Sequence, residues 1–491
     1  MPSWPAQPLI YEINVWPWLA DLSRSAGRGL TLGDVPDGAW RRLAALGVDA
    51  VWLMGVWERS PAGTAIAREH RGLALDFRRA LPDLVPEDIV GSPYCVRRYA
   101  VDARLGGPQG LAAARAALGR AGLRLLLDFV PNHVARDHPW VEEHPEFFVG
   151  GERAELEGDP EAFFMAGGHV VACGRDPFFP PWTDVAQLDA FHPGLRAAAR
   201  EALLEIAAQC DGVRCDMAML ALNEVFARTW GPRVGPPPES EMWPGLVEAV
   251  HARHPGFLFL AEAYWDLEGA LLALGFDSCY DKRLYDRLRA ADAGRVREHL
   301  ATVAPIQHRL VRFLENHDEA RAAEAFPRGA REAAAVALLT LPGARLLHDG
   351  QLEGRRVRLP VQLGRRPEET LDSELRRFYE GLLEAAAAPV FRQGECVHCA
   401  PRGWPDNSSF DNVLAWCWRL GDERRVVVVN LSPRPAQARV PLPWDDLRGH
   451  AVELRDALTG AAYPRPGDEL TEPGLFVDLP AWGAHLLAFR G

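Results

Sequence analysis

Charged side chains interrupt four otherwise apolar segments of this sequence, Leu123–His133, Gly212–Ala218, Phe257–Tyr264 and Leu310–Asp318. In the second segment Arg214 and Asp216 are two residues apart, so they point to the same side of a strand. Charges are rarely buried without a partner or a function. A purely structural ion pair remains one explanation, and the other three segments favour a functional site.

The other three segments also carry carboxyl groups, and two of them add asparagine and histidine. Convergent carboxyl groups suit glycoside hydrolysis, in which one attacks the anomeric carbon or activates water and another protonates the leaving oxygen. Arg214 would keep Asp216 ionised, whereas apolar neighbours would raise the pKa of Glu262, as a general acid requires. The residues are Asp128 with Asn132 and His133, Glu262, and His317 with Asp318.

Metal chemistry is the competing interpretation. Asp, Glu and His at strand ends can hold divalent metals for hydrolysis or enolisation, but Arg214 beside the ligands would repel a cation. Elsewhere, Cys396 and Cys399 form a CxxC motif. Without a second pair of ligands, this motif is weak evidence for zinc.

The elements that must position these residues alternate along the chain. Asp49–Val56 has the pattern of a buried strand, and Pro108–Ala121 that of a helix that ends before Gly122. Eight such strand–helix units predict an α/β fold, a parallel (β/α)8 TIM barrel. Catalytic groups of such barrels lie at the C-terminal ends of the strands, where the charged segments end.

Three changes of pattern divide the chain. The barrel is predicted over residues 1–130 and 191–389, with residues 131–190 as an inserted domain B after the third strand. Residues 390–491 hold short strand-like segments divided by Pro, Gly and Asp, which predicts a C-terminal antiparallel β-sandwich. Residues 57–93 lack a strong period, which predicts a long functional loop.

Composition limits the class of partner. The 491 residues include 54 Lys and Arg against 67 Asp and Glu, a net charge of -13. This charge argues against nucleic acid or an anionic membrane as the main partner. No signal-like segment or long apolar run is visible, so we expect a cytoplasmic protein with free thiols. The oligomeric state stays open.

The ordered motifs resemble the α-amylase family, glycoside hydrolase family 13, over about residues 8–390. The resemblance implies a double displacement with retention, in which Asp216 is the nucleophile, Glu262 the general acid and base, and Asp318 stabilises the transition state. The motifs are DFVPNH at 128–133, WTDVAQLD at 182–189, GVRCDMA at 212–218, LAEAYW at 260–265, FLENHD at 313–318 and LPGARLLHDGQ at 341–351.

The resemblance also implies supporting roles. Tyr94 would be the aromatic platform beneath the bound sugar, and Asp128 with Asn132 would hold the site together. No cofactor is required for the chemistry, but Asn132 is a candidate ligand of a structural calcium ion whose other ligands in 131–190 are not identifiable. The residues implied to position the sugar are His133, Arg214 and His317.

Some positions depart from the commoner family pattern. Met219 and Leu220 replace a frequent Lys-His pair, which would make the acceptor side apolar; Cys95 and Arg98 stand where Asp is common. The apolar acceptor side argues against ordinary internal cleavage of starch, and Cys95 argues against the clamp with which oligosaccharide-specific members of the family hold the non-reducing end. We therefore predict a retaining α-glycosidase acting on an α-glucoside or α-glucan. A transglycosylase with the same residues is the alternative, and a catalytically silent binding protein is a remote one.

Overall fold

Eight parallel strands form a closed barrel in this computed structural model, which describes residues 4–490. Each strand pairs with the next along the chain, and the last pairs with the first. Nearly all of their residues are buried, because helices cover the outer face. The predicted TIM barrel is confirmed. The strands are β1 (Leu9–Asn14), β2 (Ala50–Met54), β3 (Arg124–Phe129), β4 (Gly212–Cys215), β5 (Leu258–Ala261), β6 (Ser278–Tyr280), β7 (Leu310–Arg312) and β8 (Ala344–His348).

Amphipathic helices connect these strands, and local signals set several of their ends. Asp281 accepts a hydrogen bond from the Leu284 amide at the start of one helix, and Asp372 caps another in the same way. Gly27, with φ of 67°, ends the first helix in the left-handed conformation. The helices are Val15–Ala26, Asp37–Ala45, Gly107–Arg120, Pro193–Ala207, Asn223–Trp230, Met242–Arg253, Glu268–Ala273, Lys282–Arg289, Ala293–Thr302, Ala330–Thr340 and Ser373–Ala386.

The prediction of an irregular loop over residues 57–93 is wrong in part. Two helices, Pro61–Glu69 and Arg71–Ala80, occupy its middle, and we call them the helical wall. His70 ends the first helix and caps the second, because its Nδ1 accepts a hydrogen bond from the Leu73 amide at 3.2 Å. Both helices are short and mostly exposed. Their many polar and charged residues make the segment resemble a loop in the sequence.

A four-stranded antiparallel sheet lies between β3 and the helix that precedes β4. Its first strand begins at His133, directly after the polar residues that follow β3, so the sheet stands over the mouth of the barrel. Its apolar side chains form a separate small core. The strands are His133–Ala135, Phe163–Ala166, His169–Gly174 and Trp182–Gln187.

The C-terminal part consists of antiparallel sheets. A six-stranded sheet runs in the order Glu395–His398, Val413–Leu420, Glu423–Asn430, Ala484–Arg490, Ala451–Asp456 and Ala462–Pro466, and Ala436–Val440 pairs with Leu475–Leu479. The indole N–H groups of Trp416 and Trp418 both donate to the Thr340 carbonyl, at 3.1 and 2.8 Å, and so dock this sheet on a barrel helix. The strands are β9 (Glu395–His398), β10 (Val413–Leu420), β11 (Glu423–Asn430), β12 (Ala436–Val440), β13 (Ala451–Asp456), β14 (Ala462–Pro466), β15 (Leu475–Leu479) and β16 (Ala484–Arg490).

The CxxC motif lies at the end of β9. Cys399 Sγ is 3.0 Å from Sγ of Cys417 on the neighbouring strand β10, so its nearest thiol is not that of Cys396. All eight cysteines are free thiols. Within residues 4–490 there is no group of three or more His, Cys, Asp or Glu side chains that could hold a metal ion.

Candidate active site

One buried guanidinium joins the carboxyl groups at the ends of β3, β4 and β5. Arg214, only 1% exposed, donates from Nη1 to Asp216 Oδ1 and from Nη2 to Glu262 Oε2, both at 2.7 Å. Its Nη1 is also 3.5 Å from Asp128 Oδ1. The planar fork of arginine presents several donors in fixed directions, which suits a bridge between two carboxylates.

The turn after Asp216 is in an unusual conformation. Met217 has φ of 42° and ψ of 46°, the left-handed region that costs a residue with a side chain about 1–2 kcal/mol. This turn aims the Met217 amide at Glu262 Oε2, 2.7 Å away. The backbone next to one carboxylate therefore supplies a donor to the other.

The two oxygens of Glu262 have different partners. Oε2 accepts from Arg214 and Met217, whereas Oε1 accepts from the hydroxyl of Tyr264 at 2.8 Å. Because Oε2 is occupied by two donors, a proton on this group belongs on Oε1. Burial raises the pKa of Glu262 to about 7, with Arg214 opposing the rise and Asp216 adding to it. Burial likewise raises the pKa of Asp216, against the effect of Arg214.

A second charged cluster is centred on His317, close enough to Asp216 to affect its pKa. The ring of His317 contacts Glu12 Oε1 through Nδ1 at 2.6 Å, and it contacts Asp318 Oδ2 at 2.9 Å and Tyr94 Oη at 2.7 Å through Nε2. Burial lowers the pKa of His317, but the two carboxylates outweigh burial and raise it to about 10. His317 is therefore an imidazolium near neutral pH and donates from both nitrogens.

The positive charge of His317 stabilises the ionised forms of Asp318 and Glu12. Burial favours the neutral acids, yet His317 lowers the pKa of Asp318 to about 2 and, with His348, lowers the pKa of Glu12 below its ordinary value. Asp318 is thus ionised at all physiological pH values. Glu12 was not predicted from the sequence, although it is the one charged residue in the buried strand LIYEIN.

A cavity of about 510 Å³ opens above these groups. Residues of the helical wall line one side and the segment 180–185 lines the other. His133 packs against Trp182 with ring centroids 5.2 Å apart, and burial lowers the pKa of His133 to about 4, so its ring is neutral. The predicted site residues that line the cavity are Tyr94, His133, Asp216, Glu262 and Asp318.

The remaining predicted residues lie beneath or beside the cavity. Arg214 and His317 contact the carboxylates from below and do not line the wall. Asp128 accepts a hydrogen bond from the Trp52 indole at 3.1 Å, and burial raises the pKa of Asp128 to about 7. The structure thus brings every predicted residue to one end of the barrel, and the individual catalytic roles stay proposals.

The residues that depart from the commoner family pattern do not lie where we expected them in the structure. Met219 and Leu220 are buried in the core and do not line the cavity, so the prediction that they form an apolar acceptor side is wrong. Met217 lines the cavity instead. Cys95 is buried, and its thiol donates to the Asp184 carbonyl at 3.1 Å. Arg98 is exposed.

The surroundings of Asn132 do not fit a calcium ion. The Nε2 atom of the buried Gln187 lies 3.0 Å from Asn132 O, Asn132 Oδ1 and Leu188 O. Calcium takes six to eight oxygen ligands, several of them from carboxylates. Here an amide nitrogen already stands among the three oxygens, and residues 4–490 supply no carboxylate cluster for a metal.

Comparisons with known proteins agree with this architecture. No family model matches the chain. It is 28% identical to the α-amylase MalA of Haloarcula japonica over 93% of its own length and 60% of that protein. It is 26% identical to the α-1,4-glucan:maltose-1-phosphate maltosyltransferase 1 of Streptomyces coelicolor, over 91% of the chain and 63% of that enzyme. The chain thus spans about three fifths of the length of these relatives.

Two solved structures share the fold over almost their full lengths. The maltogenic α-amylase AmyB of Thermotoga neapolitana superposes with a TM-score of 0.70 at 19% identity, covering 99% of both chains. The α-amylase of Geobacillus thermoleovorans gives 0.69 at 17% identity and covers 100% of both. Together with the ordered motifs, the comparisons confirm the predicted resemblance to the α-amylase family.

The Tyr264 hydroxyl gives a pH-dependent prediction. Loss of the proton from Glu262 should end activity as the pH rises through about 7. Replacing Tyr264 with Phe removes a donor that stabilises the ionised carboxylate, so the pKa of Glu262 should rise and the alkaline limb of kcat/KM should move up by about half to one pH unit. The Tyr463→Phe variant, changed in the C-terminal sheet, is the control. An unchanged or lowered limb in Tyr264→Phe would contradict this assignment.

The Gln187 contacts give a prediction about metal removal. EDTA should leave the thermal midpoint of the wild-type protein unchanged. Gln187→Glu would place a carboxylate oxygen against three acceptor oxygens and should lower that midpoint, and added Ca²⁺ should restore it by neutralising the new charge. The exposed Gln109→Glu is the matched control. A drop in the wild-type midpoint with EDTA, measured by circular dichroism, would show that the structure depends on a metal.

Proposed function

We propose that this chain is a retaining glycoside hydrolase that acts on α-glucosidic bonds. The main support is the single guanidinium that contacts both Asp216 and Glu262. Carboxyl groups of retaining enzymes are about 5–5.5 Å apart, and those of inverting enzymes about 6.5–9.5 Å apart to admit water. Because one guanidinium contacts both carboxyl groups, the shorter spacing of a retaining enzyme is favoured.

In the proposed reaction, Asp216 attacks the anomeric carbon while Glu262 gives its Oε1 proton to the leaving oxygen. A glycosyl-enzyme ester forms and the glycosidic bond breaks. Glu262, now ionised, takes a proton from water, whose oxygen displaces Asp216 and restores both groups. Asp318, kept ionised by His317, would stabilise the positive charge that develops on the sugar ring.

The other predicted residues act on the geometry of this reaction. Tyr94 and His133 form the floor and wall of the cavity at the sugar, and Arg214 aligns the two reacting carboxylates. Asp128, under the same arginine, adds to its negative surroundings. We propose that these steps require no cofactor.

Transfer to a sugar acceptor is the second candidate. It uses the same ester, with a sugar hydroxyl in place of water. Met217 and Tyr264 line the cavity beside Glu262, where an acceptor would enter, and one relative is named as a maltosyltransferase.

We also propose that the enzyme works in the cytoplasm. Its eight cysteines are free thiols, which suits a reducing compartment. Within the described residues the helices are too short or too polar to cross a lipid bilayer.

The function is tested by product analysis on maltose, maltooligosaccharides, trehalose, sucrose, glycogen, and maltose 1-phosphate with a glucan acceptor. We expect α-configured products at early times by proton NMR, and a loss of about 10⁴-fold or more in kcat for Asp216→Asn. Glu205→Gln, an exposed change on a barrel helix, is the control. New longer sugars would select transfer over hydrolysis.

β-Configured first products, or full activity of Asp216→Asn, would contradict the mechanism. If the folded wild-type protein turns over none of these substrates, the catalytic proposal is wrong and a binding role is favoured.

A further inference from the structure

Asp184 presents a carboxyl group without a counter-charge in contact to the active-site cavity. It lies on the strand Trp182–Gln187 and lines the cavity; its carboxyl group accepts a hydrogen bond from its own backbone amide and forms no ion pair within residues 4–490. Its backbone carbonyl is fixed by the Cys95 thiol at 3.1 Å. Burial raises the pKa of the Asp184 carboxyl, because the walls exclude much of the water that would solvate it. A carboxylate held in this way can accept further hydrogen bonds from a ligand, because a single backbone amide leaves most of its lone pairs free.

His70 lines the same cavity and offers the complementary group. Its Nδ1 accepts from the Leu73 amide, so in the neutral ring Nε2 carries the hydrogen. Asp184 and His70 both line this cavity, and His133 and, to a smaller extent, His70 oppose the rise that burial causes in the pKa of Asp184. Together they present one acceptor and one donor, and a sugar hydroxyl can use both.

The topology puts this pair on the side of the cavity away from the general acid. His70 follows β2, and the strand that carries Asp184 lies in the sheet that begins directly after β3. Glu262 and Tyr264 follow β5, with β4 between. The general acid faces the leaving group, so Asp184 and His70 face the sugar that is transferred to Asp216.

We infer that Asp184 and His70 bind the hydroxyl groups at the non-reducing end of the substrate, and that the enzyme removes terminal units from short α-glucosides. This inference rests on the proposed function. An internal glucose of an α-1,4 chain has its O4 in a glycosidic bond and cannot donate from it, whereas a terminal glucose offers free 4- and 6-hydroxyls. The helical wall bounds the cavity here through Ile66 and Leu73, where a longer chain would have to pass.

The test uses p-nitrophenyl α-maltoside and its 4,6-O-ethylidene-blocked analogue. Wild-type enzyme should prefer the free sugar. Asp184→Asn should lose roughly 10- to 100-fold in kcat/KM on the free sugar, mainly through KM, which is the size expected for a hydrogen bond to a charged group. It should lose little on the blocked sugar, so the preference disappears. Glu157→Gln, an exposed carboxylate of the inserted segment, is the matched control.

If Asp184→Asn loses kcat/KM equally on both sugars, or on neither, the inference is wrong. The proposed function still stands in that case, because the wild type turns over the substrate. Calorimetric titration of maltose and blocked maltose into Asp216→Asn and into the double variant Asp216→Asn with Asp184→Asn separates the remaining cases. If Asp216→Asn binds maltose more tightly than blocked maltose, the double variant does not, and the wild type turns over neither, the Asp184 contact is supported and the proposed hydrolase function is wrong. Absence of both binding and turnover would overturn both.

Discussion

The active site depends on the buried guanidinium of Arg214. The barrel brings three carboxyl groups from adjacent strands to one point, where their mutual repulsion and loss of solvation would otherwise favour the neutral acids. Burial raises the pKa of Asp216 and Arg214 opposes that rise, whereas burial raises the pKa of Glu262 to about 7 in spite of the same arginine. Breaking a buried ion pair by removing one partner typically costs about 3–5 kcal/mol, so stability and chemistry rest on the same contact.

His317 is the second buried cation of the active site. It lies between Glu12 and Asp318 and carries the positive charge that keeps both ionised. The two cations divide the tasks. Arg214 aligns Asp216, the proposed nucleophile, with Glu262, the proposed proton donor. His317 keeps Asp318 ionised, and Asp318 is proposed to act only by electrostatics.

Much of this site could be predicted from sequence, because strand ends in a parallel barrel converge and a charge inside an apolar strand is conspicuous. Glu12 was missed because nothing near it in the sequence suggests its partner, which lies 305 residues away. The left-handed turn at Met217 was missed because tertiary contacts, and not local propensity, determine it. The helical wall was missed although local signals mark its helix ends, a Ser60 cap before Pro61 and a His70 cap between the two helices. The fit of Gln187 between three oxygens likewise depends on folded geometry.

The most direct test of the role of Arg214 is chemical rescue. Arg214→Ala should retain the fold but lose about 10²–10³-fold or more in kcat, the scale for removal of one preorganised electrostatic donor. Millimolar guanidinium, far below denaturing concentration, should restore a substantial part of kcat with saturation, because the cation can enter the vacated space between the two carboxylates. A folded Arg214→Ala variant with wild-type kcat, or one that guanidinium does not rescue, would contradict the account.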